Sequence, residues 1–191
     1  ERLLTSFLAT TDGTVEGSDR IFGENTDGME LFNVDGHELI AVNHEYVNTK
    51  INLPHNEGAV TSADDVLTLQ NMQGVTVMEV EKADAGYKVV VDSKYNRRIT
   101  HETEMTLAGP LAGSDLVKTN ADPKGMTVKG TMNNCGSGKT LWNTYMTCEE
   151  NFNGYFGTTA EHETTPGESR YGIGGEGRYA YEKFDPRFDL S

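Results

Sequence analysis

The sequence predicts a mainly β fold built of antiparallel hairpins, and three observations lead there. Short runs rich in Val, Ile, Thr and aromatic residues alternate with Gly, Asn and Asp along most of the chain. Pairs of such runs recur every 40–50 residues or so, roughly the length of a propeller blade, with a β-sandwich as the other architecture of this kind. Helix signals are few, and 21 Gly against 5 Pro in 191 residues suit many turns and close backbone approaches.

Taken in order, the opening segment, 1–10, is a helix candidate. Met29–Val34 and His37–Asn43 flank Asp35-Gly36, and Asp and Gly tolerate the positive φ of a type I′ hairpin turn. Ser62–Gly74 offers a Ser cap, early acids and a closing Gly, so one helix is expected there. A second hairpin is expected from Gly74–Glu81 and Gly86–Asp92, with Lys82–Ala85 as its loop. The third pairs Thr127–Met132 with Thr140–Cys148 around a turn that holds Cys135. Alternation along its second run puts Leu141, Asn143, Tyr145 and Thr147 on one face and Trp142, Thr144, Met146 and Cys148 on the other. Residues 154–178 have no period and read as a long loop, of the kind that is more often functional or mobile than filler. With about 40–50 residues per blade, the chain holds roughly four blades at most. Its last residues, Phe184–Ser191, read as interrupted, so the chain is expected to be the N-terminal part of a larger propeller polypeptide, spanning 1–191 of it.

The charge balance excludes several classes of function. The chain carries 16 Lys+Arg against 30 Asp+Glu, a formal net charge of −14. That argues against a nucleic-acid or anionic-membrane binder, because phosphate contacts need clustered cations. Phosphate chemistry stays open if bound metal ions supply the positive charge locally. No run approaches the roughly 20 apolar residues that span a bilayer. The N-terminus has neither an initiator Met nor an apolar run long enough for a secretory signal, which reads as a mature or truncated chain.

Some motifs match by letter only. Gly138-Lys139-Thr140 lacks the earlier glycine of a phosphate-binding loop, since Asn133 stands there, and a strand continues where a helix should begin. Gly172–Gly177 fits G-x-G-x-x-G without a preceding strand or a following helix. Asn120–Gly125 resembles the start of a calcium loop, but Lys124 replaces an oxygen ligand and no Glu stands at the twelfth position.

Three other segments carry chemistry. Asn43-His44-Glu45-Tyr46 ends an apolar strand, where polar side chains can converge or simply form a polar edge. Asn133-Asn134-Cys135 sets a soft sulfur donor among amide oxygens that suit a hard cation. A buried structural thiol, or a disulfide to Cys148, fits the same residues. Cys148-Glu149-Glu150-Asn151-Phe152-Asn153 places adjacent acids at a strand end, where they repel unless a cation neutralises them.

In order, these segments resemble the PhoX-type alkaline phosphatases. The resemblance rests on Asn43–Tyr46, Asn71–Val75, Ser93–Thr100, Leu107–Pro110, Lys118–Pro123, Gly130–Cys135, Cys148–Phe156 and Asp185–Leu190, and covers about residues 20 to 191. It implies a six-bladed β-propeller with an iron–calcium cluster in its channel, present here as a partial chain. It implies hydrolysis of phosphate monoesters by a metal-bound oxo or hydroxide nucleophile, in the periplasm or outside the cell, usually after twin-arginine export. The residues implied as catalytic are Cys135 and Glu150. The implied ligands of Fe(III) and Ca2+ are Cys135, Glu45, Glu149, Glu150 and Glu182, with Asn134 and His44 beside the cofactor. Further ligands and a phosphate-contacting Arg are expected from the rest of the same polypeptide, and no nucleic acid is expected as a partner. The sequence departs from the family where Ala180-Tyr181-Glu182 replaces the usual Trp-His-Glu. Two other readings are a calcium-stabilised propeller module that binds or scaffolds without turnover, and a disulfide-linked secreted β domain.

Overall fold

Alternation along the first two strands dictates the central sheet. In the computed structural model, which describes residues 14–191 and the strand pairing of Arg2–Leu3, β1 is Arg2–Leu3, β2 is Thr26–Val34 and β3 is His37–His44. The two-residue turn between β2 and β3 is Asp35-Gly36, both at positive φ as the sequence predicts. Two short helices' worth of chain follow, α1 (Thr49–Asn52) and α2 (Ala63–Asn71), then β4 (Gly74–Ala83), β5 (Gly86–Val89) and β6 (Arg97–Ile99). These strands form one antiparallel sheet in the order β1-β6-β4-β3-β2, with β5 also on β4. The sheet is open. Of the expected opening helix, Arg2–Leu3 pair instead as a strand with β6, and the rest of 1–10 lies outside the described residues.

One face of this sheet is a core of Phe32, Leu39, Ala41, Val75 and Val77, with Tyr95, Ile99 and Tyr145 packed against it. The opposite face leaves Met29 and Leu31 exposed beside Ile40, Met78 and Tyr87. A second core joins α2 to the C-terminal segment through Leu53, Val66, Leu69, Met72, Tyr155, Tyr179, Tyr181 and Phe188. Arg98 links the end of α2 to the sheet. It is fully buried and donates to Thr76 Oγ1 (3.1 Å) and to the carbonyls of Asn71 and Gln73 (2.7 Å each). Burial lowers its pKa to about 9.

The helix signal at 62–74 holds at its start, but the helix stops at Asn71 and Gly74 opens β4 where it was expected to close the helix. Ser62 Oγ accepts from the Asp65 N–H, and Asp64 and Asp65 lie in the positive first turn. Burial works against the Asp65 carboxylate, but hydrogen bonds from the Thr61 N–H and hydroxyl and from His55 outweigh it and hold the pKa below its usual value. A depressed carboxyl pKa gives stability that is present above the unfolded value, about 3.9, and is lost as pH falls through the folded one. Asp65→Asn is therefore expected to cost about 1–3 kcal/mol at pH 7 and to flatten the loss of stability between pH 5 and 3, read by urea midpoints at each pH.

The later hairpins differ from the sequence reading. The β4–β5 ladder runs to Ala83↔Gly86, so the expected longer loop shrinks to Asp84-Ala85, and β5 stops at Val89. The third hairpin is paired differently. β7 (Glu104–Thr106) takes β8 (Thr127–Lys129) as its partner, and β9 (Asn134–Lys139) pairs with β10 (Tyr145–Glu149). Cys135 therefore sits at the start of a strand instead of in a turn. Glu149 pairs with Asn134, so thiol and acids share one end of the hairpin. The Gly136-Ser137-Gly138 stretch is strand, with Ser137 opposite Thr147 and Gly138 opposite Met146, and β9 lies tight on β2, where a Cβ at Gly28 would stand 2.6 Å from the Cys135 carbonyl oxygen and 2.8 Å from Ser137. Within 154–178, a short helix α3 (Pro166–Tyr171) interrupts the expected loop, started by a capping box between Thr165 and Glu168. The two cysteines are free, which removes the disulfide reading.

Candidate metal centre

Two strand irregularities build the site. The β2–β3 register shifts between Thr26 and Met29, which puts Asp27-Gly28 in a bulge, and the β9–β10 register shifts between Thr147 and Glu149. Bulges re-aim side chains at sheet edges. Here they turn Asp27 toward Cys135, whose Sγ donates to Asp27 Oδ2 at 3.0 Å. Glu45 follows the end of β3. One ligand atom from each of Asp27, Glu45 and Cys135 lies within 4.8 Å of the others, the one such group among the described residues.

Glu150 closes the group. Its charge acts on Glu45, whose pKa is raised by partial burial first and then by Glu150 and Asp27, with Arg178 acting the other way. The Cys135 thiol is pushed up to about 12, chiefly by its hydrogen bond to Asp27, then by partial burial and by the charges of Asp27, Glu150 and Glu45. Glu45 and the thiol thus resist ionising beside these acids. A cation would reverse that, and the donor set suits cations, with a soft sulfur beside hard oxygens. Arg178 is exposed, and its guanidinium lies 5.1 Å from the Tyr179 ring centroid.

Buried amides hold the two halves of the group. Gln73 Nε2 donates to the Glu45 carbonyl (2.7 Å) and to Tyr155 Oη (2.6 Å). Tyr155 Oη donates in turn to Asn133 Oδ1 (2.6 Å), and the Asn133 carbonyl accepts from the Glu150 N–H (3.0 Å).

Of the residues expected here, Cys135, Glu45 and Glu150 come together. The others do not. Glu149 turns aside and accepts from Thr131 Oγ1 and the Met132 N–H. Glu182 is buried against Gly157 and Gly177, where its Oε1 accepts from the Gly177 N–H and its Oε2 has no hydrogen-bond partner. His44 is fully buried, edge-on to Phe22, with one ring nitrogen on Thr76 Oγ1 and the other on the Glu24 carbonyl. Burial and the Arg98 charge keep His44 neutral, and neither nitrogen faces the acidic group. Asn134 donates its amide to Thr131 and Thr147. Asp27 is the residue the sequence reading missed. Its signal was Asp-Gly inside a strand, which breaks the alternation and marks a bulge.

The chain matches the profile of the family described as Alkaline phosphatase PhoX over residues 4–191. Among solved structures it is similar to Pseudomonas fluorescens PhoX in complex with vanadate, a transition state analogue. The identity is 42% and the TM-score 0.87, over 94% of this chain and 32% of that one. The chain therefore spans about a third of the length of that protein. No curated protein matches.

Proposed function

We propose that this chain, which belongs to the alkaline phosphatase PhoX family, supplies part of the metal centre of a phosphate-monoester hydrolase. The observation that carries this is the convergence of Cys135 with Asp27 and Glu45, with Glu150 beside Glu45. Cys135 would hold iron(III), and the carboxylates would be shared between iron and calcium. Such cations, when bound, neutralise charge developing on a phosphoryl group and acidify water.

The chain's own groups have three tasks. The β2 and β3 ends present Asp27 and Glu45, and the β9–β10 hairpin brings Cys135 and Glu150 to meet them. Arg178, whose charge reaches Glu45, offers an exposed planar guanidinium whose fork suits two oxygens of a phosphate. The acidic surface disfavours anions in general, so an anionic substrate is drawn only where cations reverse the sign. The remaining blades of a six-bladed propeller, further ligands and a location outside the cytoplasm belong to the same reading.

Elemental analysis of the native protein tests it, together with hydrolysis of a chromogenic phosphate monoester. Iron with calcium, and turnover lost to a chelator, is the expected result. Calcium without iron and without turnover would favour the scaffold reading.

A further inference from the structure

Asn43 is fully buried at the end of β3, two positions before Glu45. All of the hydrogen bonds of its side chain run to the hairpin that carries the thiol. Its Nδ2 donates to the carbonyls of Cys135 (2.9 Å) and Gly136 (3.2 Å). Its Oδ1 accepts from the hydroxyls of Tyr145 (2.8 Å) and Thr147 (2.9 Å). Thr147 Oγ1 also accepts from Asn134, so its own proton is directed to Asn43. One carboxamide therefore grips both strands of the β9–β10 hairpin. It holds the Cys135 main chain from the strand that also carries Glu45.

The side-chain chemistry is demanding. Two donors and a doubly accepting oxygen are needed on one short, neutral, planar group. Aspartate would set a carboxylate against two carbonyls, leucine would take the partner from the Cys135 carbonyl and the Thr147 hydroxyl while Tyr145 kept only its bond to the Gly28 carbonyl, and glutamine is a methylene longer. Within the acidic group the Cys135 thiol is tied to Asp27, and that bond does not reach Glu45. The separation of Cys135 from Glu45 is set from behind, by the backbone.

We infer that Asn43 is a positioning residue for the cation cluster, acting through the backbone of Cys135 to set the sulfur–carboxylate spacing. The inference rests on the reading of that group as a metal centre. Groups that orient metal ligands typically change affinity about 10–100-fold when removed.

The test is a Co2+ titration of the chain, followed by thiolate-to-metal charge-transfer absorption, which reports ligation by Cys135 directly. Asn43→Ser is expected to weaken Co2+ binding at least tenfold. Val77→Ala, a core change on the same sheet face away from the group, serves as the stability control and is expected to leave binding unchanged after a comparable fall in urea midpoint. Equal binding by Asn43→Ser and Val77→Ala would overturn the inference and leave Asn43 a purely structural residue. If Asn43→Ser does not fold, the double variant Tyr145→Phe/Thr147→Val decides. It keeps the carboxamide but removes the hydroxyls that orient it, and a severalfold loss of affinity is expected where unchanged affinity would overturn the proposal. Absence of the charge-transfer band in the unsubstituted chain would instead sink the metal reading itself.

Discussion

If Cys135 ligates the proposed centre, Cys135→Ser is expected to remove the charge-transfer band completely and to lower phosphate-monoester hydrolysis by the proposed hydrolase more than about 100-fold, beyond what loss of a supporting group around a metal costs. The reason is chemical type more than geometry. Sulfur is the one soft donor in the group, and a serine hydroxyl keeps the hydrogen bond to Asp27 without offering a thiolate. The metal-free fold is expected to hold within about 1 kcal/mol, since the residue is only half-buried and its partner is preserved. Urea unfolding of the metal-free chain, set beside the activity assay, separates the two effects. Unchanged turnover in this variant would remove Cys135 from the reaction.

Gly74→Val is expected to produce the largest loss of stability, about 3–5 kcal/mol, as a lower urea midpoint at unchanged slope. Gly74 opens β4 at φ +98°, a backbone conformation that a β-branched residue strains to adopt. Any Cβ there would also stand 2.1 Å from the Ile99 carbonyl oxygen of the neighbouring β6. That atom is backbone and cannot swing aside. Gly36→Ala is the matched control. Its φ is also positive, but nothing lies within 4 Å of the added carbon, so it is expected to cost only about 1 kcal/mol of strain. The damage at Gly74 adjoins Gln73, whose amide holds the Glu45 carbonyl, so cation affinity is expected to fall with stability.

What was legible in the sequence follows from how local each signal is. Ser62 with its acids, and Asp35-Gly36 between two alternating runs, carry their structure in a few neighbouring residues. The third hairpin does not. Glu104–Thr106 is too short to show a period, so the sequence around Thr127–Lys129 points to the longer run at 140–148 instead of to its true partner. Gly136-Ser137-Gly138 imitates a turn, although it is a strand that pairs with β10 and lies tight on Gly28 of β2, a contact between segments distant in sequence. The acidic group divides the same way. Cys135, Glu45 and Glu150 were reached through motif resemblance. Asp27 belongs to none of those motifs, and only the bulge aims it. His44 and Glu182 stand beside or within such motifs, yet burial directs both to local partners, which short patterns cannot reveal.

The Cys135–Asp27 contact joins residues 108 apart in the chain. At a synthesis rate of about 5–20 residues per second, the sulfur leaves the ribosome roughly 5–20 s after the first carboxylate. A nascent chain thus has no complete set of donors until its later hairpin has emerged and folded back. On the proposed reading, ion capture would then await the completion of this long-range contact.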